Sequence, residues 1–352
     1  FPSGVTLHFT CEKHTYQNGV CTRCGAKDPN YKLTAPSVKT DYLISTGKPY
    51  IKWAAVAGAS KYEVYRSGSK DGTYTLLGTT AATNYTDNKA NAGYIYYYKV
   101  KAVNANSIKS DYSATVAATC HCARPVVKPD YLISTGKPYI KWAAVAGASK
   151  YYVYRSGSSN GTYKYVGTTT ATNYTDNKAN AGYTYYYKVK AVSKVSSGAN
   201  SYYSVVIGAT CHCARPSVKI TTSNGSPRLT WNAVTGAAKY EVYRATSKNG
   251  SYTKMFTTSN LSYTNTSAVA GTTYYYKVKA VSKVKSAANS SLSAAVAITC
   301  RCARPVVKTD YWASTGKPYI KWTAVAGASK YEVYRSGSKD GTYTLLGTTT
   351  AA

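Results

Sequence analysis

Acidic side chains are scarce in this chain: 13 Asp and Glu stand against 44 Lys and Arg, a formal charge of +31. Only four glutamates occur, Glu12, Glu63, Glu241 and Glu332, and the last three hold one repeated position that Tyr152 fills in another copy. A position that accepts tyrosine does not serve general acid chemistry. Histidine is equally rare, with four in all, and three of them, His14, His121 and His212, lie beside cysteines. No histidine and carboxylate set remains for a serine or cysteine nucleophile, and the glycine-rich phosphate loops are missing. The aspartates, such as Asp71, Asp87 and Asp340, are not grouped as a calcium loop requires. These absences lead us to expect no enzyme activity in this chain. No apolar run reaches the roughly 18 residues of a membrane helix, so no membrane span is expected either.

What the chain has in abundance is repetition. The segment Asp41–Tyr62 returns letter for letter at Asp130–Tyr151, and again with three changes at Asp310–Tyr331. Trp53, Trp142, Trp231 and Trp322 follow one another at 89, 89 and 91 residues, the size of a small domain with its own core. We divide the chain into residues 1–32, then modules 1 (33–122), 2 (123–213) and 3 (214–302), and a partial module 4 (303–352). The start without methionine and the stop within module 4 lead us to expect a piece of a longer protein, with export signal and anchor elsewhere.

Within module 1, the segments Tyr50–Ala54, Tyr62–Arg66, Tyr74–Leu77, Tyr94–Val103 and Tyr112–Ala117 are rich in Tyr, Val, Ile and Thr and read as strands. Gly58, Gly68, Gly72, Asp71, Asn88 and Gly93 mark turns between them. The pattern predicts an all-β fold of two-sheet antiparallel immunoglobulin-like sandwiches in tandem, beads on a string. Tyr62 and Val64 should point inward with Tyr96, Tyr98, Val100 and Ala102, while Trp53 anchors the core.

Trp53, then GASKYEVYRS, DGTY, TNYTD and AGYIYYYKVKAV, in an order kept through three copies, resemble the fibronectin type III domain found in tandem on secreted Firmicutes-type proteins. The resemblance covers the chain from about residue 33 onward. It implies that Tyr96, Tyr185 and Tyr274 are corner tyrosines tying a loop to the sandwich. It also implies an extracellular or cell-surface location. Small residues, Ala90 and Ala92, stand where the family usually places a leucine.

The nine cysteines are of two kinds. Cys11, His14, Cys21 and Cys24 form C-x2-H and C-x2-C around an Asn18-Gly19 turn, a donor set suited to a closed, structural zinc site. Too short to bury a core, this stretch needs a metal or a disulfide instead. It resembles the zinc-ribbon-like knuckles that accompany bacterial surface repeats. The remaining six recur as C-x-C before Ala-Arg-Pro at the module ends: Cys120 and Cys122, Cys211 and Cys213, Cys300 and Cys302. Disulfides, metal binding and free thiols all stay open there, although Arg301 replaces His121 and His212.

A further repeated set, Tyr97, Lys99, Lys101, with Tyr186, Lys188, Lys190 and Tyr275, Lys277, Lys279, would line one sheet face with rings and ammonium groups. It suits either glycan or polyanion contact or plain cross-strand packing. The net charge makes an anionic cell-wall polymer or glycan a candidate partner. Nucleic-acid binding would rest on charge and the knuckle alone and is not expected. The leading expectation is an extracellular structural protein whose like chains associate into a surface filament; the alternative is the carbohydrate- or cell-wall-binding accessory region of a secreted hydrolase.

Overall fold

A computed structural model describes residues 13–28 and 30–352; Cys11 lies outside them. A short amino-terminal hairpin, β1 (Tyr16–Gln17) and β2 (Val20–Cys21), precedes module 1. There β3 (Val38–Tyr42), β4 (Pro49–Trp53) and β7 (Asn84–Thr86) form one sheet in the order β3-β4-β7. The second sheet, ordered β6-β5-β8-β9, contains β5 (Lys61–Ser67), β6 (Thr75–Thr80), β8 (Ile95–Val103) and β9 (Val116–Thr119). Modules 2 and 3 repeat the same three-plus-four arrangement. The chain is thus a tandem of immunoglobulin-like β-sandwiches. Among the described residues no helix is long and apolar enough to cross a membrane.

By its contacts the chain falls into two compact units. One comprises Phe1–Pro129, Ile140–Tyr174 and Tyr186–Gly208; the other comprises Asp130–Tyr139, Thr175–Tyr185 and Ala209–Ala352.

Alternation along β5 and β8 builds the core as the sequence suggests. Tyr62, Val64, Tyr98, Val100 and Ala102 are buried, and Trp53 packs edge-on against Tyr62 at 5.1 Å. Tyrosine can replace phenylalanine in such a core only if each hydroxyl finds a partner. Tyr62 Oη accepts from Val56 N at 2.9 Å, and Tyr98 Oη donates to Asp87 at 2.8 Å. The corner tyrosines do likewise: Tyr96 accepts from Asn91 N at 3.1 Å, Tyr185 from Asn180 N at 3.2 Å and Tyr274 from Val269 N at 3.3 Å.

The last strand lies later than Tyr112–Ala117, at Val116–Thr119, for a specific reason. Ahead of it, Ser113 Oγ accepts from Val100 N at 3.0 Å and Ser110 Oγ from Ala102 N at 2.9 Å. Two serine side chains thus do for β8 what a neighbouring strand's carbonyls would do. Ser201 and Ser204, and Ser290 and Ser293, repeat the device. Strands β3 and β7 are additions to the predicted set; β7 has only three residues.

Candidate metal centre, module joints and tyrosine face

The amino-terminal hairpin turns at Asn18 and Gly19, both in the left-handed region at φ 50° and 79°. After β2 the chain folds back at once: Gly25 N donates to Cys21 O at 3.0 Å and Cys21 N to Ala26 O at 2.7 Å. This tight loop and the hairpin bring His14 Nδ1 to 3.4 Å from Cys24 Sγ. The donor atoms of His14, Cys21 and Cys24 all lie within 4.8 Å of one another. Backbone amides of Arg23 and Cys24, then the His14 ring, bond to the Cys21 sulfur and bring its thiol down to about 6. A thiol so placed is largely thiolate at neutral pH, the form that binds metal.

At the first joint the two cysteines of C-x-C enter different modules. Cys120 closes the end of module 1: its Sγ lies 3.5 Å from Ala90 O, and Gly93 N donates to its carbonyl at 2.7 Å. A cysteine thereby occupies the end of the core where the sequence offers only small residues. Cys122, the last residue of module 1, reaches into module 2, where its N–H donates to Ala199 O at 2.9 Å. Between them, His121 donates its N–H to Gly47 O at 2.9 Å, and its ring lies 4.2 Å from that of Tyr42 and 3.3 Å from Asn200 O. Gly47, at φ 72°, has no room for a side chain, because a Cβ there would fall on the His121 carbonyl.

The second joint repeats this with Cys211, His212 and Cys213. His212 N donates to Gly136 O at 2.8 Å, its ring stacks on Tyr131 at 3.9 Å, and Cys213 N donates to Ala288 O at 2.9 Å. At the third, Arg301 N donates to Gly225 O at 3.0 Å, so the backbone bond outlasts the loss of histidine.

All six joint cysteines are free thiols, and only Cys302 is exposed. Burial pushes the thiols of Cys120, Cys122, Cys211, Cys213 and Cys300 upward, away from the thiolate needed for exchange or metal binding. A disulfide to another chain would need an accessible sulfur, and the buried five have none.

The nine residues of the tyrosine and lysine face are half-buried rather than solvent-facing. Their ammonium groups already have aromatic partners in the same module. Lys99 Nζ lies 4.3 Å from the Tyr74 ring centre and Lys101 Nζ 4.1 Å from that of Tyr112. Lys188 lies 4.1 Å from Tyr163, Lys190 5.4 Å from Tyr203 and Lys277 4.1 Å from Tyr252. Lys279 instead adds a favourable charge near Glu241. Tyr74, Tyr163 and Tyr252 are the partners that the sequence reading missed. Their signal was the repeated DGTY, NGTY and NGSY turn.

A cavity of about 830 Å³ in module 4 is lined by Ile320, Trp322, Tyr331 and Val333, the counterparts of Ile51, Trp53, Tyr62 and Val64. In module 1 those side chains pack against Tyr98, Val100 and Ala102, so this cavity corresponds to core space rather than to a ligand site.

No family model matches the chain. Among curated proteins it is 30% identical over 299 residues to Exoglucanase B of Cellulomonas fimi, a match covering 76% of this chain and 26% of that protein. It is 26% identical over 319 residues to an amylopullulanase of Thermoanaerobacterium saccharolyticum, covering 72% of this chain and 24% of the relative. The chain therefore spans about a quarter of the length of these two relatives. Among solved structures, a two-domain fibronectin type III segment of chicken tenascin aligns with a TM-score of 0.34 and 16% identity, covering 50% of this chain and 98% of that segment.

Proposed function

We propose that this chain is an extracellular, non-catalytic accessory region of a glycan-degrading enzyme, in which fibronectin type III-like modules space and support the parts around them. The observation that carries this reading is the match to Exoglucanase B, where 76% of this chain corresponds to only 26% of that protein. The amylopullulanase match has the same proportions. These similarities favour the accessory region over the filament of like chains that the sequence also allows. The first two joints fit a spacer, since C-x-C there is hydrogen-bonded into the modules on both sides instead of forming a free linker. The excess of positive charge would hold such a region near an acidic glycan or cell-wall polymer, an attraction that salt should weaken.

The test uses antibodies against the modules to isolate the native polypeptide that contains them. The native material should release reducing sugar from cellulose or starch, and the 352-residue chain alone should release none. Sugar release by the chain alone, or native material that forms filaments and hydrolyses no glucan, would overturn the reading.

A further inference from the structure

The accessory reading makes no use of the amino-terminal hairpin. Unlike the modules, this segment has almost no interior: among the described residues of 13–32 only Gly19 and Cys21 are buried. Its described residues are nonetheless held by backbone bonds. Thr22 N donates to Thr15 O at 2.9 Å, Cys21 N to Ala26 O at 2.7 Å, Gly25 N to Cys21 O at 3.0 Å and Asp28 N to Gly19 O at 2.8 Å. A handful of backbone bonds without apolar burial does not repay the entropy of ordering a chain this long. Some other interaction must hold it.

The donors named above have the geometry of such an interaction. Zinc bonds of about 2.3 Å to sulfur and 2.0–2.1 Å to nitrogen, set tetrahedrally, put neighbouring donors about 3.5–3.8 Å apart. His14 Nδ1 and Cys24 Sγ are 3.4 Å apart, and no pair in the set exceeds 4.8 Å. Sulfur and imidazole donors exclude calcium and magnesium, which take oxygen.

We propose that His14, Cys21 and Cys24 bind one structural zinc ion, and that this ion clasps the hairpin onto module 1. The sequence offers Cys11, outside the described residues, as a fourth donor; the proposal rests on the other three. The clasp has a defined seat. Asn104 Nδ2 donates to Asn18 O at 2.9 Å, while Asn104 Oδ1 accepts from Ile108 N at 2.8 Å. Gly19 packs so closely on Tyr31 and Ile108 that a Cβ would overlap both side chains. The metal therefore shapes the turn that meets the module, although it touches none of the module's residues itself. The inference stands independently of the hydrolase reading.

Zinc content and cobalt substitution test the site. The chain purified from zinc-replete medium should carry one zinc. After chelation, cobalt should produce thiolate-to-metal charge transfer and the visible bands of tetrahedral coordination. Cys24→Ser and His14→Ala should each weaken cobalt binding by more than about 100-fold, beyond the 10–100-fold typical of residues that merely support a ligand. Cys302→Ser, at the third joint, should leave it unchanged. Chelation should also speed amide exchange at Cys21, Gly25 and Asp28 and spare β5 and β8. A zinc-free native chain with Cys21 and Cys24 joined as a disulfide would overturn the site, as would undiminished cobalt binding by Cys24→Ser. Loss of metal with no change in hairpin exchange would overturn the clasp.

Discussion

Modules 1 and 3 place different chemistry at one buried point of the same fold. In module 1 the residue is Asp87, whose carboxylate accepts from Tyr98 Oη at 2.8 Å and from Arg66 Nη1 at 2.9 Å. In module 3 it is Asn265, whose amide donates to Tyr276 Oη at 2.8 Å and accepts from Ser267 Oγ at 2.9 Å. Arg66 and Arg244 both lie 4.8 Å from a corner tyrosine ring, Tyr96 and Tyr274, so each guanidinium keeps its ring in either setting. Common to both modules is the need to match a tyrosine hydroxyl in the core. Burial raises Tyr98 and Tyr276 alike, keeping each phenol protonated and able to take either hydrogen-bonding role. The carboxylate of Asp87 is one solution to a packing requirement.

The largest effect should come from Asp87→Leu, which strands Arg66 and the Tyr98 hydroxyl together and should cost about 3–5 kcal/mol. Asn265→Leu leaves no ion pair broken and should cost about 1–3 kcal/mol. Amide exchange along β8 and its counterpart Thr273–Ser282 measures both, and equal losses would mean that the charge in module 1 carries no weight. Between these two, Asp87→Asn should cost about 1.5–3 kcal/mol, because it keeps a partner for Tyr98 and removes the charge that pairs with Arg66. Adding Lys89→Ser, which supplies the counterpart of Ser267, should recover part of that loss by the same measurement.

Smaller still, Tyr96→Phe and Tyr274→Phe each remove one hydrogen bond to a loop amide and should cost about 1 kcal/mol in either module. Unequal costs, read from exchange at Asn91 and Val269, would show that the neighbouring charge does reach the corner.

The smallest contrast is in acid. Burial of Glu63 opposes its ionisation, but hydrogen bonds from Lys109 and Tyr65 outweigh it and hold the carboxyl below its ordinary value; Tyr243 and Lys254 do the same for Glu241. A carboxyl lowered by folding contributes stability that is complete above its unfolded pKa and lost as pH falls through the folded one. Modules 1 and 3 should therefore loosen along β5 and Ala237–Ala245 as pH drops through and below the ordinary glutamate range. Module 2, with Tyr152 at this position, should lack that component, and Glu63→Gln should abolish it in module 1. Exchange followed across an acid titration checks all three.

Residues that act through local periodicity were legible in the sequence. The tryptophan period marks successive module cores, and alternation places Tyr62, Val64, Tyr98 and Val100 inside. The donor cluster of the hairpin was legible for a related reason, since C-x2-C and a turn dipeptide bring its donors together within a few residues. Features set by distant partners were not. Nothing near Ser110 and Ser113 announces that they will satisfy β8 in place of a strand, although the S-x-x-S spacing recurs in all three copies. Nothing near Lys99 points to Tyr74, 25 residues earlier. The opposite destinations of Cys120 and Cys122 depend on Ala90 on one side and Ala199 on the other, contacts that no local pattern encodes.

The joints have one more consequence. Module 2 meets the joint before it through Ala199 and Asn200, and the joint after it through Gly136. It therefore contains both the plug and the socket. A gene segment duplicated in whole modules would arrive with each new boundary already complementary to its neighbours, needing no compensating change. The stretch of 22 identical residues, Asp41–Tyr62 and Asp130–Tyr151, carries this socket glycine in both copies, as Gly47 and Gly136.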